Sequence, residues 1–176
     1  MSEIQLWNGD ICDLEVDAIV NAATTNLWMS TGVGGALKRR GGDVIEYEAV
    51  RQGPVSVGAA VVTGPGSLAC HHVIHAVSLG PDRRTSGAAI DAAARAAIAT
   101  ADGLGCTSLA MPALGTGVGG YPLDDAAATT VAAVEGALAT ASSLQLVIFA
   151  LRGAEAYNAF ARVLAGAATA PSGGAR

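Results

Sequence analysis

Aromatic residues and cysteines are scarce in this sequence: Phe, Trp and Tyr make up 4% of the 176 residues, and there are three cysteines. Cys12, Cys70 and Cys106 are odd in number and lie far apart, without any Cys-x-x-Cys pair. This spacing favours neither a disulfide framework nor a structural zinc site. We therefore expect buried free thiols and no bound metal.

The sequence also lacks long apolar runs and an excess of basic residues. No run approaches the ~18 apolar residues of a membrane helix, and the chain does not begin with a basic segment followed by an apolar one. Ten Lys and Arg against fifteen Asp and Glu give a net charge of -5, which disfavours a surface with many phosphate contacts. These absences predict a cytoplasmic protein that binds neither membranes nor nucleic acids.

Two small basic clusters, Lys38-Arg39-Arg40 and Arg83-Arg84, do not reverse the acidic balance of the chain. We interpret them as solvated helix or loop positions. Either cluster could also border a pocket for an anionic ligand.

Apolar runs alternate with helical stretches along the chain. Strands are predicted over Ile4–Leu6, Ala18–Asn21, Val57–Thr63, His72–Val77, Ser108–Met111 and Leu144–Ala150. Helices are predicted over Val33–Arg40, Asp43–Arg51, Ser86–Gly103, Pro122–Ala141 and Gly153–Ala165, with Ser86 as an N-cap. Strands separated by such helices pair mostly in parallel, with helices on both faces of the sheet. The predicted fold is therefore α/β: a three-layer α/β/α sandwich around a mostly parallel mixed sheet.

The length of the chain fits one domain with a full core. We expect that domain over residues 1–168 and a flexible tail of small residues over 169–176. A monomer is expected.

The loop Leu114 to Pro122 has four glycines within residues 115–120, directly after the strand Ser108–Met111 and before a helix. Such a loop can turn several backbone N–H groups toward one anion, assisted by the helix dipole. No Lys-Ser or Lys-Thr pair follows the glycines, so this is not a P-loop. A tight turn that needs glycine is the alternative interpretation.

Several further motifs occur in order along the chain: Gly9-Asp10-Ile11, Val16-Asp17-Ala18-Ile19-Val20-Asn21-Ala22-Ala23, Gly32-Val33-Gly34-Gly35-Ala36, Val73-Ile74-His75-Ala76 and Pro112 to Pro122. Together these motifs resemble the macro domain family, and the match runs from about Ile4 to Leu164. Both glycine clusters follow strands, so a parallel sheet would bring them to one crevice.

The resemblance implies an ADP-ribose pocket without a cofactor. Asp10 would accept a hydrogen bond from the adenine amine, Phe149 would stack on adenine, and the glycine loops would hold the diphosphate through backbone donors. The implied ligand-binding residues are Asp10, Ile11, Asn21, Gly32, Val33, Gly115, Thr116, Gly117, Val118, Gly119, Tyr121 and Phe149.

Each of these side chains also has a structural interpretation. Asp10 could cap a turn, Phe149 could belong to the core, and Tyr121 could pack into the core before a helix instead of covering the distal ribose. Asn21 could fix the loop or face the distal ribose, with the structural role preferred. His75 lies within an apolar strand and is interpreted as a core residue.

The chain departs from the pattern of the MacroD-type hydrolases at the first loop. Thr24 stands where they carry the last Asn of Asn-Ala-Ala-Asn, and Gly34 stands where they carry an Asp. Candidate catalytic positions are therefore Thr24, Thr31 and Gly32, with the two hydroxyls replacing part of the missing polar contacts. Asp43 and Glu46, both near the first helix, are candidate remote acids, and exposed helix carboxylates are the preferred interpretation.

The resemblance implies a hydrolase that removes mono-ADP-ribose from acidic side chains of modified proteins. Water activated by the phosphate of the substrate would attack the anomeric carbon. The alternatives are a non-catalytic ADP-ribose reader, which the changes at Thr24 and Gly34 favour, and a hydrolase of ADP-ribose 1″-phosphate or O-acetyl-ADP-ribose. The expected partners are ADP-ribose and ADP-ribosylated proteins.

Overall fold

In a computed structural model of the chain, residues 1–169 are described. They contain the strands β1 (Glu3–Asn8), β2 (Ala18–Thr24), β3 (Ala60–Thr63), β4 (His72–Leu79), β5 (Ser108–Met111) and β6 (Leu146–Leu151). The helices are α1 (Gly32–Gly41), α2 (Asp43–Val50), α3 (Gly87–Gly103), α4 (Leu123–Leu138) and α5 (Ala154–Thr169), and a 3-10 helix spans Ile11–Asp13.

The strands form one mixed sheet in the order β1-β6-β5-β2-β4-β3. All neighbouring strands are parallel except β3, which pairs antiparallel with β4 at the edge. The α/β sandwich with a mostly parallel mixed sheet is thus confirmed. Its topology places the carboxyl ends of β1, β6, β5, β2 and β4 on one side of the molecule.

The core lies on both faces of the sheet. On one face, buried side chains of α3, α4 and α5 pack against the sheet, and many of those from α3 and α4 are alanines that let the helices approach closely. On the other face, the 3-10 helix, α1 and α2 cover the sheet through Ile11, Leu37 and Ile45. Successive residues of β6 pack alternately into the core on the two faces of the sheet, which explains why that strand is apolar throughout.

Several predicted boundaries differ from the structure. The strand predicted over Val57–Thr63 begins at Ala60, because a turn with Gly58 at φ +91° precedes it. Helix α4 ends at Leu138 and not at Ala141, since its last residues close into tighter turns. Ser86 caps α3 as predicted, its hydroxyl accepting a bond of 3.1 Å from the Ala89 N–H.

Helix α5 continues to Thr169, the first residue of the stretch that was predicted as a tail. The rest of the predicted tail, residues 170–176, lies outside the described residues. The three cysteines are free and buried, as predicted. Over residues 1–169, no helix combines the length and the apolar character needed to cross a bilayer.

Candidate functional site

A cavity of about 270 Å³ lies at the carboxyl ends of β2, β4 and β5. The loops that follow these strands form its walls. Its lining consists of Asn21, Ala22, Thr24, Asn26, Trp28, Ser30, Thr31, Gly32, Val33, Gly34, Leu79, Pro81, Arg83, Pro112, Ala113, Gly115, Thr116, Gly117, Val118 and Gly119. The two glycine clusters predicted to converge therefore lie on one cavity.

The first wall is the amino-terminal turn of α1. The first hydrogen bond of the helix runs from the Gly35 N–H to the Thr31 carbonyl at 3.0 Å. The N–H groups of Gly32, Val33 and Gly34 have no acceptor within residues 1–169, as expected for the first turn of a helix. These donors and the positive end of the helix dipole make this wall suitable for an anion.

Glu46 holds the segment that leads into this wall. Its carboxylate accepts a bond of 2.7 Å from the Met29 N–H and pairs with the Lys38 ammonium at 2.8 Å. Burial opposes ionisation, but the bonds from Lys38 and Met29 outweigh it and lower the pKa of Glu46. The interpretation of Glu46 as an exposed carboxylate is wrong: it is 9% exposed, because the loop before α1 folds over it.

The second wall is the loop from Gly115 to Gly120. A side chain at Gly115 or Gly119 would meet packed atoms 2.7 Å from its Cβ, so the loop needs glycine at both positions. Within the described chain, the N–H groups of residues 116–119 have no acceptor. Gly117 has no atom within 4 Å of an added Cβ, which places it against open space. The loop thus adds a second set of backbone donors without acceptors to the wall of the cavity.

The three candidate catalytic positions all line the cavity, but their hydroxyls differ in availability. Thr24 donates its proton to the Asn26 amide oxygen at 2.6 Å, so its oxygen can only accept from a ligand in this arrangement. The Thr31 hydroxyl is exposed and makes no bond with residues 1–169. Thr31 can therefore both donate and accept. Gly32 contributes its backbone at φ +59°.

Asp10 lies outside the cavity, beyond the end of β1. One carboxylate oxygen caps the 3-10 helix by accepting 2.9 Å from the Cys12 N–H, and the other lies 3.8 Å from the Arg40 guanidinium. The bond from Cys12 is the largest cause of a lowered Asp10 pKa, with Arg152 and Arg40 contributing. Asp10 thus has the capping role considered from the sequence, and the cap uses only one of its two oxygens. The Ile11 side chain is buried, so only its backbone can face a ligand.

The adenine-stacking interpretation of Phe149 is wrong. The ring is 0% exposed and packs on Phe160, with ring centroids 5.0 Å apart. It faces the core because alternation along β6 turns residue 149 toward α3, α4 and α5. Arg152 is the first residue beyond β6 and is exposed at that end of the sheet.

Tyr121 belongs to the second loop but does not line the cavity. Its ring packs partly against the core, and an added Cβ at Gly87 would lie 3.0 Å from its hydroxyl. The packing of Tyr121 against the core fits the alternative considered from the sequence. Its hydroxyl also lies beside Gly87 at the start of α3.

The rim of the cavity includes residues that the sequence did not assign to the site. Trp28, which was not predicted as a site residue, is 58% exposed although it is large and apolar. Val118, which was predicted, lines the same cavity and is 51% exposed. Arg83 lines the cavity with φ +62°, a backbone conformation that costs free energy in a residue other than glycine. Arg83 belongs to a cluster considered for an anion pocket, but only the fold brings it next to the glycine loops.

The fold and the cavity define a class of α/β protein whose ligand site lies at the carboxyl ends of parallel strands, between two strand-to-helix loops. Residues 20–130 match the model of the Macro domain family. The chain belongs to this family.

Relatives occur in bacteria and archaea. An uncharacterised protein of Mycobacterium tuberculosis is 44% identical over 171 residues, which cover 97% of this chain and 47% of that protein. The chain thus spans about half the length of the mycobacterial relatives. An uncharacterised protein of Pyrobaculum aerophilum is 42% identical over 168 residues, covering 92% of this chain and 90% of its own length.

Solved macrodomains share the fold. The Trypanosoma brucei macrodomain in complex with ADP-ribose has a TM-score of 0.84 and 28% identity, covering 92% of this chain and 68% of that chain. The Oceanobacillus iheyensis macrodomain with ADP has a TM-score of 0.84 and 22% identity, covering 95% of this chain and 92% of that chain. The second similarity shows the fold alone.

Proposed function

We propose that this protein binds ADP-ribose and hydrolyses the bond that joins mono-ADP-ribose to acidic side chains of proteins. The observation that carries the proposal is that two loops border one cavity and that each has backbone N–H groups without an acceptor within residues 1–169. Neutral backbone donors explain how a chain of net charge -5 can bind a diphosphate. The T. brucei macrodomain, similar in fold, has ADP-ribose bound.

The strand order supports the following binding mode. Adenine would occupy the end of the sheet at β1 and β6, where Asp10 offers a carboxylate oxygen. The diphosphate would lie between α1 and the Gly115 to Gly120 loop, and the distal ribose over β2 and β4. Strands are spaced about 4.8 Å apart, so roughly 10 Å separate β1 from β5, a span that suits an extended dinucleotide-like ligand.

The reaction requires no side chain to change its protonation state. Water would attack the anomeric carbon as the C–O bond to the target carboxylate breaks, and the carboxylate would leave with the electron pair. A phosphate oxygen of the substrate would accept the proton from the water. Thr31 has a free hydroxyl that can position this water, and the Arg83 guanidinium at the rim suits the departing carboxylate.

A non-catalytic reader is the second candidate. The cavity lining contains no Asp, Glu, His or Cys in the described part of the chain, so no side chain there can act as a general base at neutral pH. Loss of such a group commonly costs about 10²–10⁴ in rate. The ester bond to a carboxylate has a good leaving group, which is the reason we prefer the hydrolase.

Turnover and binding together test this proposal. We expect free ADP-ribose to be released from a protein modified on glutamate, and calorimetry with the same preparation to show binding of ADP-ribose. A protein carrying ADP-ribose on serine is the matched control, because its alcohol leaving group is much poorer and should turn over far more slowly. Binding without release from either substrate would identify a reader, and absence of both would refute the proposal.

Asp10→Asn should weaken ADP-ribose binding about tenfold and reduce the preference for adenine over hypoxanthine. The amide keeps the shape of the side chain but replaces a charged acceptor by a neutral one, and bonds to charged groups contribute about 1.5–3 kcal/mol. Calorimetric titration with ADP-ribose and with its inosine analogue measures both effects. Full affinity with unchanged selectivity would remove Asp10 from the site.

A further inference from the structure

A buried amide borders the cavity with one polar atom unused. Asn21 is 1% exposed, and its amide nitrogen lies 3.0 Å from His75 Nδ1. Its oxygen has no hydrogen-bond partner within residues 1–169, although it is buried. Buried polar atoms normally have a partner, so this oxygen points to a missing donor.

The orientation of the Asn21 amide follows from the proton positions in the neighbouring hydrogen bonds. We assign the single proton of Thr63 Oγ1 to the Gly64 carbonyl, 3.1 Å away, so that the hydroxyl oxygen accepts from His75 Nε2 at 2.9 Å. Burial lowers the pKa of His75 to about 4, which keeps the ring neutral with one N–H. His75 Nδ1 is then an acceptor, and it takes a proton from the Asn21 nitrogen.

The hydrogen-bonded chain Thr63–His75–Asn21, here called the relay, depends on the register of the sheet. Asn21 on β2 lies directly opposite His75 on β4, and Thr63 is on the neighbouring antiparallel strand β3. Both His75 and Thr63 are buried, and neither lines the cavity. The relay therefore runs from the edge strand to the cavity and can act on a ligand only through Asn21.

Gly34 leaves room for the oxygen. An added Cβ at Gly34 would lie 3.1 Å from Asn21 Oδ1, closer than ordinary contact. The absence of a side chain there keeps the oxygen beside the first turn of α1, which forms the cavity wall.

We propose that His75 and Thr63 are positioning residues that hold the Asn21 oxygen as an acceptor for a hydroxyl of the distal ribose. A diphosphate oxygen cannot be the partner, because at neutral pH it only accepts hydrogen bonds. Adenine lies at the other end of the sheet in the proposed binding mode. Among the groups of ADP-ribose, a hydroxyl of the distal ribose over β2 is the donor that remains, so the inference rests on the proposed function.

Thr63→Val tests the relay from a position remote from the ligand, with Thr63→Ser as the matched control that keeps the hydroxyl. Calorimetry would compare the affinities for ADP-ribose and for ADP, which lacks the distal ribose. We expect Thr63→Val to lose about fivefold in affinity for ADP-ribose with unchanged affinity for ADP, and Thr63→Ser to retain both. A purely structural role would change both affinities in parallel. If the ratio of the affinity for ADP-ribose to the affinity for ADP is the same in Thr63→Val as in the unaltered protein, the proposal is overturned.

The protonation of His75 in the unaltered protein gives a second test that does not depend on a variant folding. Nitrogen-15 NMR of the ring should show Nε2 protonated and Nδ1 unprotonated at neutral pH. The opposite tautomer would turn the Asn21 nitrogen toward the cavity and overturn the proposal. If the unaltered protein does not bind ADP-ribose, the proposed function fails; if it binds while the Thr63→Val ratio stays constant, only the present inference fails.

Discussion

Replacing Gly117 by glutamate is expected to weaken ADP-ribose binding by more than about 100-fold. The residue lines the cavity, and an added Cβ meets no atom within 4 Å, so the new side chain enters open space without disturbing the fold. Its carboxylate would stand beside the diphosphate. Two like charges about 4 Å apart repel by roughly 4 kcal/mol at the effective dielectric near a protein surface, which exceeds the 2.7 kcal/mol of a 100-fold change.

Gly117→Gln separates charge from size. The amide has nearly the same shape as the acid, so a much smaller loss with Gln would assign the effect to electrostatic repulsion of the diphosphate. Gly32→Glu is a less specific test: Gly32 has φ +59°, so any side chain there also strains the backbone. Calorimetric titration gives the affinity of each Gly117 variant for ADP-ribose. Unchanged affinity in Gly117→Glu would show that the ligand binds elsewhere.

Phe149→Ala is expected to lower the free energy of unfolding by about 3–5 kcal/mol, the usual cost of removing a buried phenyl ring. The ring is fully buried against Phe160 at the centre of the core that joins the sheet to α3, α4 and α5. In a chain of this size, the melting temperature should fall by roughly 10 °C. Urea unfolding followed by circular dichroism gives the free energy.

Phe149→Leu is the matched control for this effect, because leucine keeps an apolar side chain of intermediate volume and should cost clearly less. The same variants distinguish a core residue from a ligand contact. A Phe149→Ala protein that unfolds at the original urea concentration but loses affinity for ADP-ribose would restore the stacking interpretation.

Local patterns were sufficient for most elements of the fold. Strand β5 has the predicted limits, and Ser86 caps α3 as its position before an Ala-rich stretch indicated. The glycine loops could be identified as well, because glycine after a strand and before a helix is a local signal for donors facing an anion. Boundaries failed where a turn interrupted an apolar run, as at Gly58 before β3.

Side-chain burial was less predictable. Glu46 resembles any exposed helix carboxylate in the sequence, yet it is buried because the segment around Met29 folds back over α2. Phe149 precedes the end of a strand, where the sequence allowed either a ligand contact or the core. The helices packed on that face of β6 decide between the two.

The sequence by itself determined the class of fold, the family and the two loops that can hold an anion, since periodicity, capping and glycine positions act over a few residues. Only the tertiary structure decided which side chains meet. Arg83 reaches the cavity because β4 lies beside β2, and the orientation of the Asn21 amide depends on His75 and Thr63 from two other strands. Such contacts join residues up to 54 positions apart, and no local pattern encodes them.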